Sequence, residues 1–253
     1  MKRALMNIIG HTKIAKDTYR LLLKGDIVHD IKAPGQFVHI QVDERFYLRR
    51  PVSISDMDVK EETIMLLYKV MGKGTDALTT KKVGEDLDVL GPGGSGFPAQ
   101  NLGIRHALLV GGGIGVPPLY NLAKQLKADG VEVTSVLGFQ SAEDTFLTEA
   151  FAEFGDVHIT TNDGSLGTKG FVTDVLPSVE ESCDMYFTCG PTVMLKAVKK
   201  QLDHKPGYIS MEERMGCGIG ACFACVVEAN DEKGYRRICC DGPVFDAKEV
   251  VLS

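Results

Sequence analysis

The sequence has no surplus of positive charge and no long uncharged run. Its 28 lysines and arginines are outnumbered by 34 aspartates and glutamates, which gives a formal net charge of −6. Nucleic-acid-binding proteins usually carry a basic patch, so this balance argues against a nucleic-acid partner. The longest uncharged run, residues 107–123, contains four glycines and two prolines and is short for a membrane span. We therefore expect no membrane partner either.

Targeting and repeat signals are also missing. The apolar stretch after the first three residues is broken by Asn7 and has no small-residue cleavage site, so we expect no signal peptide. We find no internal repeat and no low-complexity tract. Reduced thiols suit the cytoplasm, which is where we expect the protein to work. The 253 residues, 44% of them hydrophobic, suffice for about two domains of ordinary size.

The most informative pattern is a set of cysteines near the carboxyl end. Cys217, Cys222 and Cys225 follow the spacing C-x4-C-x2-C, and a fourth cysteine stands downstream at Cys239 or Cys240. Plant-type ferredoxins hold a [2Fe–2S] cluster with this spacing, because four thiolates have to converge on a small cluster. The spacing therefore predicts a [2Fe–2S] cluster, which carries one electron at a time.

The residues alone leave two other interpretations of these cysteines open. A structural zinc site also takes four thiolates, although such sites usually have two cysteine knuckles and the second is missing here. Disulfides or free thiols are the other alternative, disfavoured by the odd count of seven cysteines. Gly216, Gly218 and Gly220 favour the cluster, because glycine permits positive φ in a tight loop and brings amide groups close to sulfur.

Residues 1 to about 100 have the pattern of a small antiparallel β-barrel. Short apolar or alternating runs at 19–23, 37–42 and 63–70 predict strands, and turn signals separate them. One or two helical turns are predicted at 75–80. The glycine-rich run at 91–96 has the composition of a flexible loop or linker, so we place a domain boundary near residue 100.

Two short motifs in this first part suit a dinucleotide flavin. In the run 49–54, arginine stands beside a rigid proline and is followed by Ser53, which suits a strand end that holds a pyrophosphate. Its alternative is an edge strand with solvated arginines. The run 72–75 offers glycine-rich backbone that can cradle phosphate, and its alternative is a plain turn with a capping threonine.

After residue 100 the pattern changes to alternating strands and helices. A buried strand at 107–110, a glycine turn at 111–115 and a helix to about residue 128 form the layout of a dinucleotide-binding unit. Further strands are predicted at 131–137, 158–161 and 184–188, and a helix at 193–202. No lysine or arginine occurs between 131 and 150, which favours NAD over NADP, and Glu143 is our candidate ribose partner.

Taken together, these motifs resemble the electron-transfer subunits of type B dihydroorotate dehydrogenases, within the ferredoxin reductase superfamily. The resemblance covers nearly the whole chain. Its narrowest part is the order of the motifs: a cluster loop follows a nucleotide-binding unit, and the stretch Asp-Gly-Pro-Val-Phe at 241–245 closes it. It implies a chain of β and then α/β domains: a FAD-binding antiparallel barrel at 1–100, a parallel-sheet NAD-binding domain at 101–205 and a small [2Fe–2S] segment at 206–253.

The resemblance also implies roles for individual residues. The flavin would be held by Arg50, Pro51, Val52, Ser53, Leu67, Tyr68, Lys69, Gly74 and Thr75. The NAD site would be shaped by Gly111, Gly112, Gly113, Gly115 and the run 189–191, with Cys189 near the nicotinamide as the candidate catalytic residue. The cluster ligands would be Cys217, Cys222, Cys225 and Cys239, although the adjacent Cys240 departs from the family's pattern.

The family's division of labour implies a partner. A catalytic subunit would oxidise dihydroorotate on FMN, and this chain would pass the electrons through [2Fe–2S] and FAD to NAD+, in complexes with two copies of each chain. An alternative is a diaphorase-type subunit of an electron-bifurcating or hydrogenase-associated complex. A redox-sensing or zinc-stapled binding module without turnover is an alternative from a different class.

Overall fold

The computed structural model describes residues 1–252, and its first part is a closed antiparallel barrel. The strand order around the barrel is β1-β2-β5-β4-β3-β6. The elements are β1 (Lys2–Ala15), β2 (Thr18–Lys24), β3 (Phe37–Gln41), β4 (Arg50–Asp58), β5 (Thr63–Lys69), α1 (Lys73–Leu78) and β6 (Asp86–Gly93). The barrel interior is filled by aliphatic side chains that alternate along these strands, such as Ile8, Leu21, Val38 and Ile64.

The structure corrects one prediction in this part. Residues 91–93 are not a linker but the end of β6, which pairs with both β1 and β3 and closes the barrel. The glycines serve close packing, because a side chain at Gly91 would press against Val38 and one at Gly93 against Phe37. Small residues in a tightly packed strand therefore gave the sequence the appearance of a loop.

The second part is a seven-stranded sheet covered by helices. Its strand order is β10-β9-β8-β7-β11-β12-β15, and all neighbours are parallel except the last pair. The elements are β7 (His106–Gly112), α2 (Pro117–Ala128), β8 (Glu132–Phe139), α3 (Thr148–Ala152), β9 (Asp156–Thr161), β10 (Thr168–Lys169), α4 (Val172–Val179), β11 (Met185–Cys189), α5 (Thr192–Gln201) and β12 (Gly207–Ser210). The predicted fold class, a barrel followed by an α/β unit, is confirmed.

The last part of the chain is divided between two sheets. A three-stranded sheet has the order β14-β13-β16, formed by β13 (Val226–Ala229), β14 (Tyr235–Arg237) and β16 (Val250–Val251). In contrast, β15 (Val244–Asp246) pairs antiparallel with β12 at the edge of the large sheet. The last part of the chain also contributes to the core of the large sheet, because Cys225, Ile238 and Cys239 pack in one cluster with Leu108 and Leu195. The three-way division of the chain at 100 and 205 stays a prediction.

Polar contacts join the barrel to the large sheet. The Lys69 ammonium group, at the end of β5, lies 2.9 Å from Oδ1 of Asp144, which belongs to a short turn after β8. On the same side, Lys124 of α2 pairs with Asp56 of β4 at 2.9 Å. None of the helices within residues 1–252 has both the length and the apolar content needed to cross a bilayer.

Candidate functional site

The cysteine loop forms a cradle of backbone amides around one thiol. The N–H groups of Ala221, Cys222 and Ile219 point at Sγ of Cys217, at 3.2, 3.3 and 3.5 Å. Burial by itself raises the pKa of the Cys217 thiol, but these donors outweigh burial and lower the pKa to about 6. The loop thus stabilises a thiolate, which is the form that binds iron.

Positive φ angles of 70° and 81° at Gly218 and Gly220 turn the backbone to make this cradle possible. The conformation of the loop is therefore encoded by its glycines.

The predicted ligand thiols lie in two pairs. The thiols of Cys217 and Cys222 are neighbours, and so are those of Cys225 and Cys239. Burial, followed by the neighbouring Cys225, raises the pKa of Cys239 to about 12, so the protein by itself favours the neutral thiol at this position. Residues 1–252 contain no group of three or more side chains already arranged around one metal ion, but the two thiol pairs supply the two thiolates that each iron of a [2Fe–2S] cluster requires, and this donor set fits that group.

Cys240 differs from Cys239 in its surroundings. Its side chain is exposed, whereas Cys239 is buried beside Cys225. The same stretch braces the loop, because Arg237 donates to the carbonyl of Gly220 at 3.0 Å while it pairs with Asp241. These positions favour Cys239 as the fourth ligand, which stays a prediction.

A cavity of about 410 Å³ lies between the barrel and the large sheet, and we call it the barrel cavity. The predicted flavin residues on its wall are Pro51, Val52, Ser53, Leu67, Tyr68, Lys69 and Thr75. They come from the adjoining ends of β4 and β5 and from α1. A largely apolar pocket of this volume with a few polar groups is typical of a cofactor site, so the residues fit one part of a flavin.

Arg50 and Gly74 lie in direct contact at the edge of this cavity. A side chain at Gly74 would overlap the Arg50 guanidinium, which also stacks on the Phe46 ring at 5.2 Å from its centre. The absence of a side chain in α1 therefore leaves room for the arginine. The Thr75 hydroxyl accepts from the backbone N–H of Met71 at 2.9 Å and so fixes the turn before α1.

Sequence reasoning missed the part of the barrel cavity that follows β12. Ser210, Met211, Glu212, Arg214 and Met215 form this wall, directly before the cysteine loop. Glu212 faces the open cavity and is solvent-exposed, yet protein surrounds its carboxyl group closely enough that burial raises the pKa to about 7. The carboxyl end of a parallel strand was the signal that could have found these residues.

Cys189 lies at the end of β11, packed against the turn at Gly115. Its thiol is fully buried, and burial, followed by the nearby Glu212 charge, raises its pKa well above the usual range. Cys189 is close to the barrel cavity but does not line it. Its predicted place near the nicotinamide stays a prediction.

A second cavity of about 430 Å³ opens at the carboxyl ends of β7, β8, β9 and β11, and we call it the sheet cavity. Gly112 and Gly113 line it, whereas Gly111 and Gly115 pack against α2 and β11. The buried Thr160 hydroxyl on its wall has no partner in the described chain. A glycine turn and an unpaired hydroxyl at this edge of a parallel sheet fit a nucleotide.

The amide side chains of Gln140 and Asn162 lie at the mouth of the sheet cavity. Nδ2 of Asn162 donates to Oε1 of Gln140 at 2.9 Å, and both residues line the cavity. Each directly follows a strand, which was the signal for a ribose-binding side chain. In contrast, Glu143 lies near Lys16 at 3.9 Å and is not among the lining residues. The geometry thus favours Gln140 over our candidate Glu143.

Comparison with known proteins shows the family to which the chain belongs. The family profile described as the iron-sulfur cluster binding domain of dihydroorotate dehydrogenase B matches residues 212–251. Among solved structures, that of NADH-dependent reduced ferredoxin-NADP oxidoreductase, studied for flavin-based electron bifurcation, is 34% identical with a TM-score of 0.88 and covers 98% of this chain and 90% of its own. An Amycolatopsis cytochrome P450 reductase is 23% identical with a TM-score of 0.70, covers 80% of this chain and 66% of its own, and shares the fold.

Curated relatives match over their full length. The dihydroorotate dehydrogenase B (NAD(+)) electron transfer subunit of Geobacillus sp. (strain WCH70) is 54% identical and covers all of both chains. The protein of the same name from Shouchella clausii is 48% identical and covers 99% of both chains. This chain therefore belongs to the family of dihydroorotate dehydrogenase B electron transfer subunits.

Proposed function

We propose that this chain carries electrons from a dihydroorotate-oxidising partner to NAD+, in pyrimidine biosynthesis. Dihydroorotate gives up two electrons and two protons to become orotate, and NAD+ takes up the equivalent of a hydride while one proton is released. The cluster supplies one-electron transfer, and the flavin can take up electrons singly and deliver them as a pair. The residues of this chain hold the cluster, the flavin and the nucleotide in place.

The observation that carries the proposal is the contiguity of the three sites. Phe37 lines the barrel cavity and packs against His39, which in turn contacts the cysteine loop at Gly218. On the other side, Ile114 lines the barrel cavity while its neighbour Gly113 lines the sheet cavity. One continuous series of contacts therefore joins the cluster loop, the barrel cavity and the sheet cavity.

The residues of the chain have distinct tasks in this proposal. Cys217, Cys222, Cys225 and Cys239 hold the cluster, and the loop amides stabilise its sulfurs. The flavin residues of β4, β5 and α1, including Arg50 and Gly74, hold FAD. The glycine turn from Gly111 to Gly115, with Cys189 at its back, orients the nicotinamide.

The family name implies a catalytic partner subunit, for which we propose an FMN enzyme with two copies of each chain, in the cytoplasm. The similarity to the bifurcating oxidoreductase favours a second candidate, a subunit of an electron-bifurcating complex. The partner that co-purifies distinguishes them: an FMN enzyme that forms orotate, or another iron–sulfur protein.

The first test is quantification of iron, sulfide and FAD in anaerobically purified protein. We expect two irons, two sulfides and one FAD per chain, together with NADH-dependent dye reduction. Orotate should form only after the catalytic subunit is added. Orotate formation by the purified chain alone, or protein made without air that contains neither iron nor flavin, would contradict the proposal.

Serine variants test the ligand set. Cys225→Ser and Cys239→Ser should lower iron content, whereas Cys240→Ser should retain it. Cys183→Ser is the matched control, because this buried thiol donates to the carbonyl of Val179 in α4 and is outside the predicted ligand set. Full iron in Cys239→Ser together with iron loss in Cys240→Ser would transfer the role of fourth ligand to Cys240.

A further inference from the structure

His39 is a buried imidazole without a hydrogen-bond partner among residues 1–252. Its side chain has no solvent exposure, and neither Nδ1 nor Nε2 has a partner within the described chain. Buried polar groups in native proteins are almost always hydrogen-bonded, so an exception indicates a partner that protein atoms do not provide. This could not be predicted from the sequence, because a histidine inside an apolar strand usually finds a hydrogen-bond partner among its neighbours.

The surroundings of the ring indicate where that partner lies. One side of the imidazole packs edge-on against Phe37, with 5.3 Å between ring centres. The other side lies against the cysteine loop, where the Nε2 edge fills the space that a side chain at Gly218 would need. Cys217, which precedes Gly218, is one of the predicted cluster ligands. The ring thus lies between the wall of the barrel cavity and the cluster loop.

We propose that His39 donates a hydrogen bond from its ring to a sulfur of the iron–sulfur cluster and thereby raises the cluster's reduction potential. This inference rests on the proposed function, because it needs the cluster. A reduced cluster carries one more negative charge than an oxidised one, so an N–H donor stabilises the reduced state more. Hydrogen bonds to the sulfurs are one of the ways in which a protein sets this potential.

The proposal gives His39 the role of a positioning and tuning residue. A side chain of the barrel would thus tune the cluster that the cysteine loop holds. Two of its neighbours, Phe37 and the cross-strand partner Pro51, line the barrel cavity. His39 would therefore help to set the driving force for electron transfer between the cluster and the flavin.

The first experiment measures the cluster's midpoint potential by redox titration followed by electron paramagnetic resonance. His39→Leu removes the donor and keeps the site apolar, and Val38→Ala is the control, because Val38 faces the barrel interior from the same strand. At the wild-type midpoint, we expect the ratio of reduced to oxidised cluster in His39→Leu to fall about tenfold, equivalent to 59 mV for one electron. His39→Gln, which restores an N–H donor, should recover part of this change.

The second experiment needs no variant. In protein labelled with ¹⁵N-histidine, pulsed electron paramagnetic resonance of the reduced cluster should detect weak coupling to one histidine nitrogen. A His39→Leu variant with full iron and sulfide but an unchanged midpoint would overturn the inference, and so would wild-type protein without the nitrogen coupling. Wild-type protein without iron would instead refute the proposed function.

Discussion

At the scale of single residues, we expect the contact between Gly74 and Arg50 to constrain flavin binding. A methyl group at position 74 would overlap the guanidinium and displace it, although the backbone of α1 would tolerate alanine. We therefore expect Gly74→Ala to weaken FAD binding at least about tenfold, equivalent to ~1.4 kcal/mol. Gly72→Ala is the matched control, since no atom lies within 4 Å of the position of its side chain. Fluorescence titration of flavin-free protein measures the FAD affinity of each variant. Equal affinities of Gly74→Ala and Gly72→Ala would contradict a role of Arg50 in holding FAD.

We expect Glu212 to make the stability of the protein depend on pH. Its folded-state pKa of about 7 lies above the ordinary value for glutamate of about 4.3, so the folded protein favours the neutral acid. The stabilisation of the folded protein by the neutral acid is complete below the unfolded-state pKa of Glu212, and it is lost as pH rises through 7.

Glu212→Gln should therefore raise the melting temperature at pH 8 but not at pH 4, where the wild-type acid is already neutral in both states. Glu213→Gln controls for the loss of one negative charge next to it. Thermal unfolding of flavin-free protein at the two pH values checks the expectation. Equal effects of Glu212→Gln at both pH values would show that the carboxyl group is not held neutral.

Individual residues show what the sequence could and could not predict. The cysteine spacing and its glycines were sufficient to predict the cluster loop, because the ligands are close in sequence. The pairing of Lys69 with Asp144 was not predictable, since the two residues are 75 positions apart and only the docking of the barrel onto the large sheet brings them together. For the same reason His39 gave no signal, because its neighbour Gly218 belongs to another part of the chain.

At the scale of elements, the ends of β8 and β9 should decide which nucleotide is used. Gln140 and Asn162 offer neutral amides to a ribose hydroxyl, and no lysine or arginine lines the described wall of the sheet cavity. A 2′-phosphate would find no countercharge there, so the cavity favours NAD.

Gln140→Arg should therefore shift the preference toward NADP. A hydrogen bond to a charged group is worth about 1.5–3 kcal/mol, so the ratio of kcat/KM for NADPH over NADH should rise by about tenfold or more. Gln100→Arg, at an exposed position outside both cavities, controls for the added charge. Steady-state dye reduction with each nucleotide measures the ratio, and a parallel rise in the control would show a general electrostatic effect.

Most strands and helices of the α/β part were predicted within a few residues, because buried parallel strands are short apolar runs between glycine turns. The barrel was less predictable. Its longest strand, β1, carries mixed polar and apolar residues, and β6 ends in glycines that resemble a linker. Their strand conformation comes from pairing with distant neighbours, which local sequence does not encode.

At the scale of the whole molecule, function requires the barrel and the sheet to keep one relative position. The sequence predicted the order of the three parts, but not that strands and cysteines of the last part belong to the sheet and core of the second. Residues 207–210 and 244–246 join the large sheet, and Cys225 and Cys239 pack in the core of its helical face. The cluster loop is therefore anchored to the large sheet, and the barrel cavity, which lies between this sheet and the barrel, depends on their docking.

The Lys69–Asp144 pair is one of the contacts that maintain this docking. Both side chains are mostly buried, so Asp144→Asn leaves the Lys69 ammonium group without its countercharge, at an expected cost of about 1–3 kcal/mol. The more exposed Lys124–Asp56 pair joins the same two parts, and Asp56→Asn should cost less than about 1 kcal/mol. Urea unfolding of the FAD-loaded protein measures both losses of stability.

Because Lys69 also lines the barrel cavity, Asp144→Asn should lower FAD affinity as well, whereas Asp56→Asn should leave it unchanged. If the two variants lost the same stability and kept the same flavin affinity, the Lys69–Asp144 pair would have no special part in docking, which would then depend on apolar contacts such as the packing of Leu67 and Phe97 with the residues of α2.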